Sequence, residues 1–332
     1  MKSIVLLLCA CTAQIFLIDA APQLLGGDDH DYYAADWAEF KAKHNKVYLG
    51  MEDEVARFEI FKTNMAKAQI LQEQEQSTAT YGVTQFSDLT EEEFSSYVMD
   101  PKFFAKGHNL PYAAIPEDPA PDSYDWRDHG AVTEVKNQGQ CGSCWAFSTT
   151  GNIEGQWFLK KNQLVSLSEQ ELVSCDKVDQ GCEGGLPSDA YKQIMKLGGL
   201  ETEKDYPYDG VDEKCKLKSS PAVYINSSVA ISKDEGEMAQ WLAKNGPISI
   251  GINANVMQLY TGGISHPWKI FCNPDKLDHG VLIVGYGTEN NTPYWIIKNS
   301  WGPSWGEKGY YRAYRGDGVC GLNNMCTSSV VN

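Results

Sequence analysis

The placement of the cysteines divides this chain more sharply than any other feature. Ten are present, and none lies between Cys11 and Cys141. Lys2, the apolar run from Ile4 to Ile18 and the small pair Ala20–Ala21 have the layout of a secretory signal peptide, with cleavage expected near Ala20. The run is too short, and too diluted by Cys9, Cys11, Thr12 and Gln14, to favour a membrane anchor. Secretion leads to an oxidising compartment, where cysteines pair. Loss of Cys9 and Cys11 leaves eight, all from Cys141 onward. No disulfide can then tie the first third of the chain to the rest, so two separately built parts are expected.

The first part reads as helical. Trp37, Phe40 and Lys41 begin one amphipathic stretch; Val55, Phe58, Phe61, Met65, Ala68 and Leu71 recur every three or four residues, as a longer helix requires. Thr90-Glu91-Glu92-Glu93 has the form of a capping box opening a third, short helix, and Tyr81–Thr84 reads as a strand. Pro101, Pro111, Pro116, Pro119 and Pro121 then punctuate a stretch without periodicity, read as a protease-sensitive linker.

After Trp126 the texture changes. Cys144–Lys160, a short helix capped at Ser168, Ser188–Leu197 and a helix capped by Ser232-Lys233-Asp234-Glu235 precede strand-like runs at 248–252, 281–284, 294–298 and 309–314. Helices followed by strands predict an α+β domain with a cleft between two lobes. The formal charge of −16 argues against a nucleic-acid binder, whose footprint is basic. It divides as −10 over residues 1–119 and −6 over 120–332, so long-range attraction cannot dock one part on the other.

Three motifs carry chemistry: Gln138-Gly139-Gln140-Cys141-Gly142-Ser143-Cys144-Trp145, Leu277-Asp278-His279-Gly280 and Lys298-Asn299-Ser300-Trp301-Gly302. A thiol attacks as its thiolate. Cys144 at a helix start meets unpaired N–H groups and the positive helix end, and an imidazolium from His279 would favour the anion further. Asn299 can hold the useful tautomer of His279. The same cysteines also allow other readings: a redox pair, half a zinc site lacking a second C-x-x-C, or a plain structural thiol. His279 as a packed core residue and Asn299 as a turn residue stand beside the chemical reading. His129 and His266 lie in no matching motif and read as surface or loop residues.

Cys-Gly-Ser-Cys-Trp followed by His and Asn 135 and 155 residues after Cys144 resembles the papain-like cysteine proteases, a spacing that is itself a known signature of that family. The resemblance runs from about Trp37 to the C-terminus. It implies an α+β papain-like two-lobe fold, a helical lobe and a β-barrel-like lobe, behind a helical N-terminal prodomain. The implied boundaries are a signal peptide at 1–20, an inhibitory propeptide at 21–119 and a peptidase domain at 120–332. It assigns Cys144 as nucleophile, His279 as its proton partner, Asn299 as orienter, and Gln138 with the Cys144 N–H as oxyanion donors; Trp301 shields the Asn–His bond. It pairs Cys141 with Cys182, Cys175 with Cys215 and Cys272 with Cys320, leaving Cys326 as an unpaired departure, either buried near the C-terminal strand or bridging to another chain. Substrate would lie along Gly184 and Gly185, its pocket formed by Leu186, Pro187, Gly251, Leu277, Gly280 and Met325, with Trp305 on the leaving-group side. Met325 carries no acid to pair with a basic side chain, so Leu, Val or Phe is expected two residues before the scissile bond.

Arg57, Phe61, Asn64, Ala68 and Gln72 match the cathepsin F form of the interspersed prosegment motif, with Asp53 where Glu is usual; Gly82-x-Thr84-x-Phe86-x-Asp88 matches a second prosegment motif. A long cystatin-like extension is missing. The absence of histidine between Cys182 and Cys215, and of cysteine in the prosegment, favours an endopeptidase over an exopeptidase. The implied protein is a monomeric, secreted or lysosomal zymogen without metal or cofactor. Its partners would be peptide substrates, its own propeptide and cystatin-type inhibitors, with no nucleic acid or membrane. A peptide ligase using the same thioester and an inactive binding paralogue are the alternatives. Acid is expected to release the prosegment by protonating paired carboxylates. Asn226 and Asn290 head glycosylation sequons.

Overall fold

The computed structural model describes residues 32–217 and 220–332. The expected signal peptide and its cleavage site lie outside the described residues.

Among the described residues the N-terminal part opens with two helices: α1 (Ala34–Lys43) and α2 (Met51–Gln74). They cross where Trp37 and Phe40 meet Phe58 and Phe61, with ring centroids 5.2–5.4 Å apart. Phe58, Phe61, Met65 and Ala68 of the α2 repeat thus share a cluster with α1, whereas Val55 is exposed and Leu71 joins the cluster of Ala79 and Phe86; polar members of the same helix hold the segment 79–93. Arg57 Nη1 donates to Glu93 Oε2 at 2.7 Å and to the Asp88 carbonyl at 3.1 Å. Asn64 Nδ2 donates to the carbonyls of Ser87 and Leu89, both at 2.9 Å; Gln72 Nε2 donates to the Ala79 carbonyl. The interspersed motif is therefore a set of grips from one helix on one segment. Strand β1 (Thr80–Tyr81) lies in that segment, and so does α3 (Glu91–Phe94), whose Thr90/Glu93 capping box is complete. A single helical turn, α4, spans Lys102–Ala105.

The C-terminal part begins with β2 (Tyr124–Asp125) and the long helix α5 (Cys144–Lys161). Asn162 ends α5 in the left-handed conformation, its N–H bonded to the Phe158 carbonyl. Nearly all of α5 up to Trp157 is buried, because it lies between α6 (Glu169–Cys175) and α7 (Pro187–Leu197) on one side and a sheet on the other. After β3 (Ser227–Ala230) and α8 (Glu235–Asn245) come β4 (Ile248–Ile252), β5 (Tyr260–Gly262) and β6 (Ile264–Ser265). The chain closes with β7 (His279–Glu289), β8 (Thr292–Lys298), β9 (Tyr310–Tyr314) and β10 (Cys326–Val330). The sheet order is β3-β10-β4-β7-β8-β9-β6, with β2 paired to β7. This is the expected helical lobe against a strand-rich lobe. Between them Ser148 Oγ of α5 donates to the Val281 carbonyl of β7 at 2.7 Å.

Some local expectations are corrected. Of the predicted strand 81–84 only Tyr81 is strand: β1 is Thr80–Tyr81, paired with β5, so an edge in the other part selects it. Ser232 does not cap α8: Asp234 accepts from Gly236 and Glu237, while Ser232 accepts from Asp234. The cap at Ser168 is half a box, because the Glu171 carboxylate accepts from Glu201 N–H instead. The largest correction is the linker. Residues 101–119 lie on the C-terminal part: Phe103 and Phe104 are buried, and Ala113 and Pro111 exchange backbone hydrogen bonds with Ala230. Among the described residues no helix is long and apolar enough to cross a membrane.

Candidate active site

Cys144 is the first residue of α5 and is fully buried. Ser143 sits at the N-cap position, yet its side chain makes no cap bond. The Ala146 N–H is taken by the Ser143 carbonyl at 2.8 Å, while the N–H groups of Cys144 and Trp145 act on the Cys144 sulfur. His279 begins β7, and Asn299 comes directly after β8, the neighbouring strand. Their side chains meet: His279 Nε2 and Asn299 Oδ1 are 2.7 Å apart. Oδ1 also accepts from Ser300 N–H at 2.8 Å, which fixes it as the amide oxygen; the ring therefore carries its proton on Nε2. Nδ1 is left buried with no hydrogen-bond partner. The next residue, Gly280, donates its N–H to Cys144 Sγ at 3.3 Å. A Cβ at Gly280 would lie 3.2 Å from the Cys144 and Trp145 backbone, so a side chain there would push strand and helix apart by a few tenths of an ångström. Trp301 stacks on the His279 ring, centroids 4.6 Å apart at 22°.

Gln138 is oriented by the same loop that carries Asn299. Its N–H donates to the Ser300 carbonyl at 2.8 Å, and its Oε1 accepts from Ser300 Oγ at 2.7 Å. That fixes Nε2 as the free donor, which reaches the carbonyls of Cys141 at 2.8 Å and Tyr97 at 3.0 Å. Ser300 lies inside its motif with no role that sequence alone can assign; the structure makes it the residue that orients Gln138.

Tyr97 belongs to the N-terminal part, which fills this cleft. Met99 N–H donates to the Asp278 carbonyl at 2.7 Å, and Trp301 Nε1 donates to the Tyr97 carbonyl at 3.3 Å. Phe86 and Phe94 stand edge-on to Trp301, 5.1 and 5.4 Å away. Phe103 and Phe104 occupy the expected substrate strip. A Cβ on Gly184 or on Gly251 would lie 2.6 Å from the Phe103 or Phe104 ring respectively. Leu186, Leu277 and Met325 join both rings in one apolar cluster, and Pro187 opens α7 beside it. A side chain on Gly185 would strike Trp145 and Asp179, so glycine is required there for internal packing as well. Trp305 lies under Trp301 at 5.1 Å, almost wholly buried, with Nε1 donating to the Met257 carbonyl.

Burial governs the charges of this covered site. It pushes the Cys144 thiol up to about 12, against the Gly280 N–H and helix-end N–H groups that favour the anion. It also pushes His279 down to about 4, although the Asn299 bond acts the other way. The lowered thiol pKa expected from the helix end is thus reversed while the cleft is filled: both groups favour their neutral forms. Burial likewise raises Asp278 to about 7.

The described cysteines form the three pairs that the resemblance implies, Cys141–Cys182, Cys175–Cys215 and Cys272–Cys320. Cys144 and Cys326 are free. Cys326 is buried at the start of β10, near the Leu322 carbonyl, which leaves no surface for an intermolecular bridge. Asn290 lies at the exposed β7–β8 turn, and Asn226 is exposed with its Oδ1 accepting from Asn332 N–H. His266, read as a plain loop residue, stacks on Tyr314 and lies 2.8 Å from Asp317; His129 stacks on Tyr124.

Residues 120–330 match the papain family cysteine protease model, and residues 37–94 match the cathepsin propeptide inhibitor domain (I29). Mouse cathepsin F is 54% identical over 296 residues, covering 89% of this chain and 64% of that protein. Cathepsin F of Drosophila melanogaster is 45% identical, covering 91% of this chain and 50% of its own length. This chain therefore spans about half to two thirds of these two relatives. Digestive procathepsin L 3 of Tenebrio molitor superposes with a TM-score of 0.80 at 35% identity, covering 90% of this chain and 99% of that one. The recombinant stem bromelain precursor gives 0.82 at 32%, covering 91% and 100%. With the matched residues spanning both parts and the Cys–His–Asn cleft between them, this chain belongs to the papain family of cysteine proteases and carries a cathepsin-type propeptide inhibitor domain.

Proposed function

We propose that the chain is the zymogen of a cysteine endopeptidase, residues 21–119 being the inhibitory propeptide and 120–332 the peptidase. The observation that carries this reading is the directed set at the cleft. A free cysteine heads α5, His279 has Nε2 committed to Asn299 and Nδ1 uncommitted, and the neighbouring Gly280 N–H touches the sulfur. With the propeptide gone, water returns to the cleft. The burial that holds both groups neutral is relieved, and the proton passes from Cys144 to His279 Nδ1.

The thiolate then attacks the substrate carbonyl carbon, forming the C–S bond and placing negative charge on oxygen. Gln138 Nε2 and the Cys144 N–H would stabilise that charge. Losing one such donor typically costs about 10²–10³ in rate. His279 returns its proton to the leaving nitrogen as the C–N bond breaks. Water, deprotonated by the same ring, hydrolyses the thioester and regenerates the thiol. Trp301 over the ring keeps water from the Asn299–His279 bond.

The Tyr97 carbonyl on Gln138 Nε2 supports the inhibitory role of residues 21–119, since it occupies a donor that the reaction needs. The apolar bed beneath Phe104 supports the preference for Leu, Val or Phe two residues before the scissile bond. Three disulfides are consistent with a secretory or lysosomal destination. The test is acid activation followed by labelling with a thiol-directed epoxide, parent against Cys144→Ala. Label and peptidase activity are expected in the parent alone. Equal activity in Cys144→Ala overturns the reading; a clear preference for Arg two residues before the scissile bond overturns the pocket assignment alone.

A further inference from the structure

Outside the cleft, one phenol connects the two chain segments that carry the proposed oxyanion donors. Tyr208 OH lies 2.7 Å from the Gln138 carbonyl and 2.7 Å from Ser143 Oγ. A carbonyl only accepts, so the phenol proton goes to Gln138. Ser143 must then donate to the phenol oxygen, which gives a one-way chain, Ser143 Oγ–H to Tyr208 O–H to the Gln138 carbonyl. This accounts for the N-cap serine that caps nothing. Its hydroxyl is engaged on Tyr208, one residue before Cys144.

Tyr208 is itself held from behind. Its ring stands edge-on to Phe147 of α5, centroids 4.9 Å apart. Buried Gln170 of α6 takes the N–H groups of Asp209 and Gly210 on its Oε1, at 3.2 and 3.1 Å, and gives Nε2 to the Val211 carbonyl at 2.8 Å. Asp212 Oδ1 accepts from Cys182 N–H at 2.9 Å, beside the Cys141–Cys182 disulfide. The loop 208–212 is therefore fastened to α6, to α5 and to the disulfide, and presents its phenol to the turn 138–143.

We propose that Tyr208 is a positioning residue for oxyanion stabilisation: it sets the distance between Gln138 and the Cys144 N–H while touching neither substrate nor sulfur. This rests on the peptidase reading above. An oxyanion hole works only if its donors stand where the charge develops, so a shift of a few tenths of an ångström is felt in the transition state before it is felt in substrate binding.

The experiment uses the acid-processed enzyme. Tyr208→Phe keeps the ring and deletes both hydrogen bonds. Expected is a fall in kcat of roughly 10- to 100-fold with KM within about twofold, as for a group acting only in the transition state. A peptide aldehyde, whose thiohemiacetal oxygen uses the hole, should bind at least about 10-fold more weakly. Alkylation of Cys144 by iodoacetamide, which builds no oxyanion, should change less than about twofold. Phe147→Leu disturbs the same packing and keeps the hydrogen bonds; it should leave the ratio of aldehyde affinity to alkylation rate unchanged. Parent-like kcat in Tyr208→Phe overturns the proposal, as does a loss that moves alkylation and aldehyde binding together. If the parent neither cleaves peptides nor labels at Cys144, the peptidase reading itself has failed, a result distinct from either.

Discussion

Phe104→Ala in the unprocessed chain is the sharpest test of how the propeptide keeps the cleft closed. The ring is 6% exposed and lies on Gly251, with Leu277 and Met325 in the same cluster. A buried aromatic side chain withdraws about 150 Å² or more from water. At about 25 cal/mol/Å², less the methyl group alanine retains, the loss is about 3 kcal/mol. That is the low edge of the range of about 3–5 kcal/mol for Phe→Ala in cores, as suits a pocket beside solvent that water can refill. Cys144 is fully buried, so a small alkylating reagent reaches it only when the segment 97–104 lifts. Its rate therefore tracks the population of the lifted state. About 3 kcal/mol corresponds to a roughly 150-fold rise in alkylation of the uncleaved chain at neutral pH. Phe104→Leu, which refills the pocket, should recover most of the protection. An alkylation rate for Phe104→Ala within about threefold of the parent would show that the ring does not hold the lid. Closure would then rest on the contacts around Trp301.

Gln138→Ala should fold, process and label at Cys144 while turning over about 10²–10³-fold more slowly; equal turnover removes Gln138 from the mechanism. Glu93 is held near 2 by its hydrogen bond from Arg57, so the stability it contributes is complete above about 4.5 and is lost only as pH falls from there towards 2. Activation at mildly acidic pH is thus not triggered by this pair, and Glu93→Gln should leave the activation midpoint within about half a pH unit; a shift beyond one unit would make Glu93 the trigger. Lys136 Nζ lies 2.8 Å from both carboxylate oxygens of buried Glu169 and 3.8 Å from Glu154. Lys136→Met should cost about 3–5 kcal/mol in neutral urea melts. Burial already raises Glu169, so its unfavourable contribution grows as pH rises above the carboxylate's ordinary range, and the variant should recover stability in acid; an equal loss at both pH values would refute the assignment.

The sequence by itself determined what is local or covalent. Amphipathic period placed α1 and α2, the Thr90/Glu93 box placed α3, and the cysteine layout separated the two parts. Cys144, His279 and Asn299 were legible because thiolate chemistry needs those side-chain types, and their order and spacing, with Gln138, because the motifs resemble those of a known family. Only the tertiary structure decided which of these groups are covered and by what. Phe103 and Phe104 carry no periodicity and read as linker, because the bed that buries them comes from Gly184, Gly251 and Met325, far along the chain. Ser300 and Tyr208 act by aiming one hydrogen bond at another segment, and nothing in composition or spacing encodes that direction. The protonation of Cys144 and His279 depends on the balance between helix-end dipoles and desolvation. Sequence names the dipoles, but the extent of desolvation is a property of the packed cleft, and here it is the larger effect.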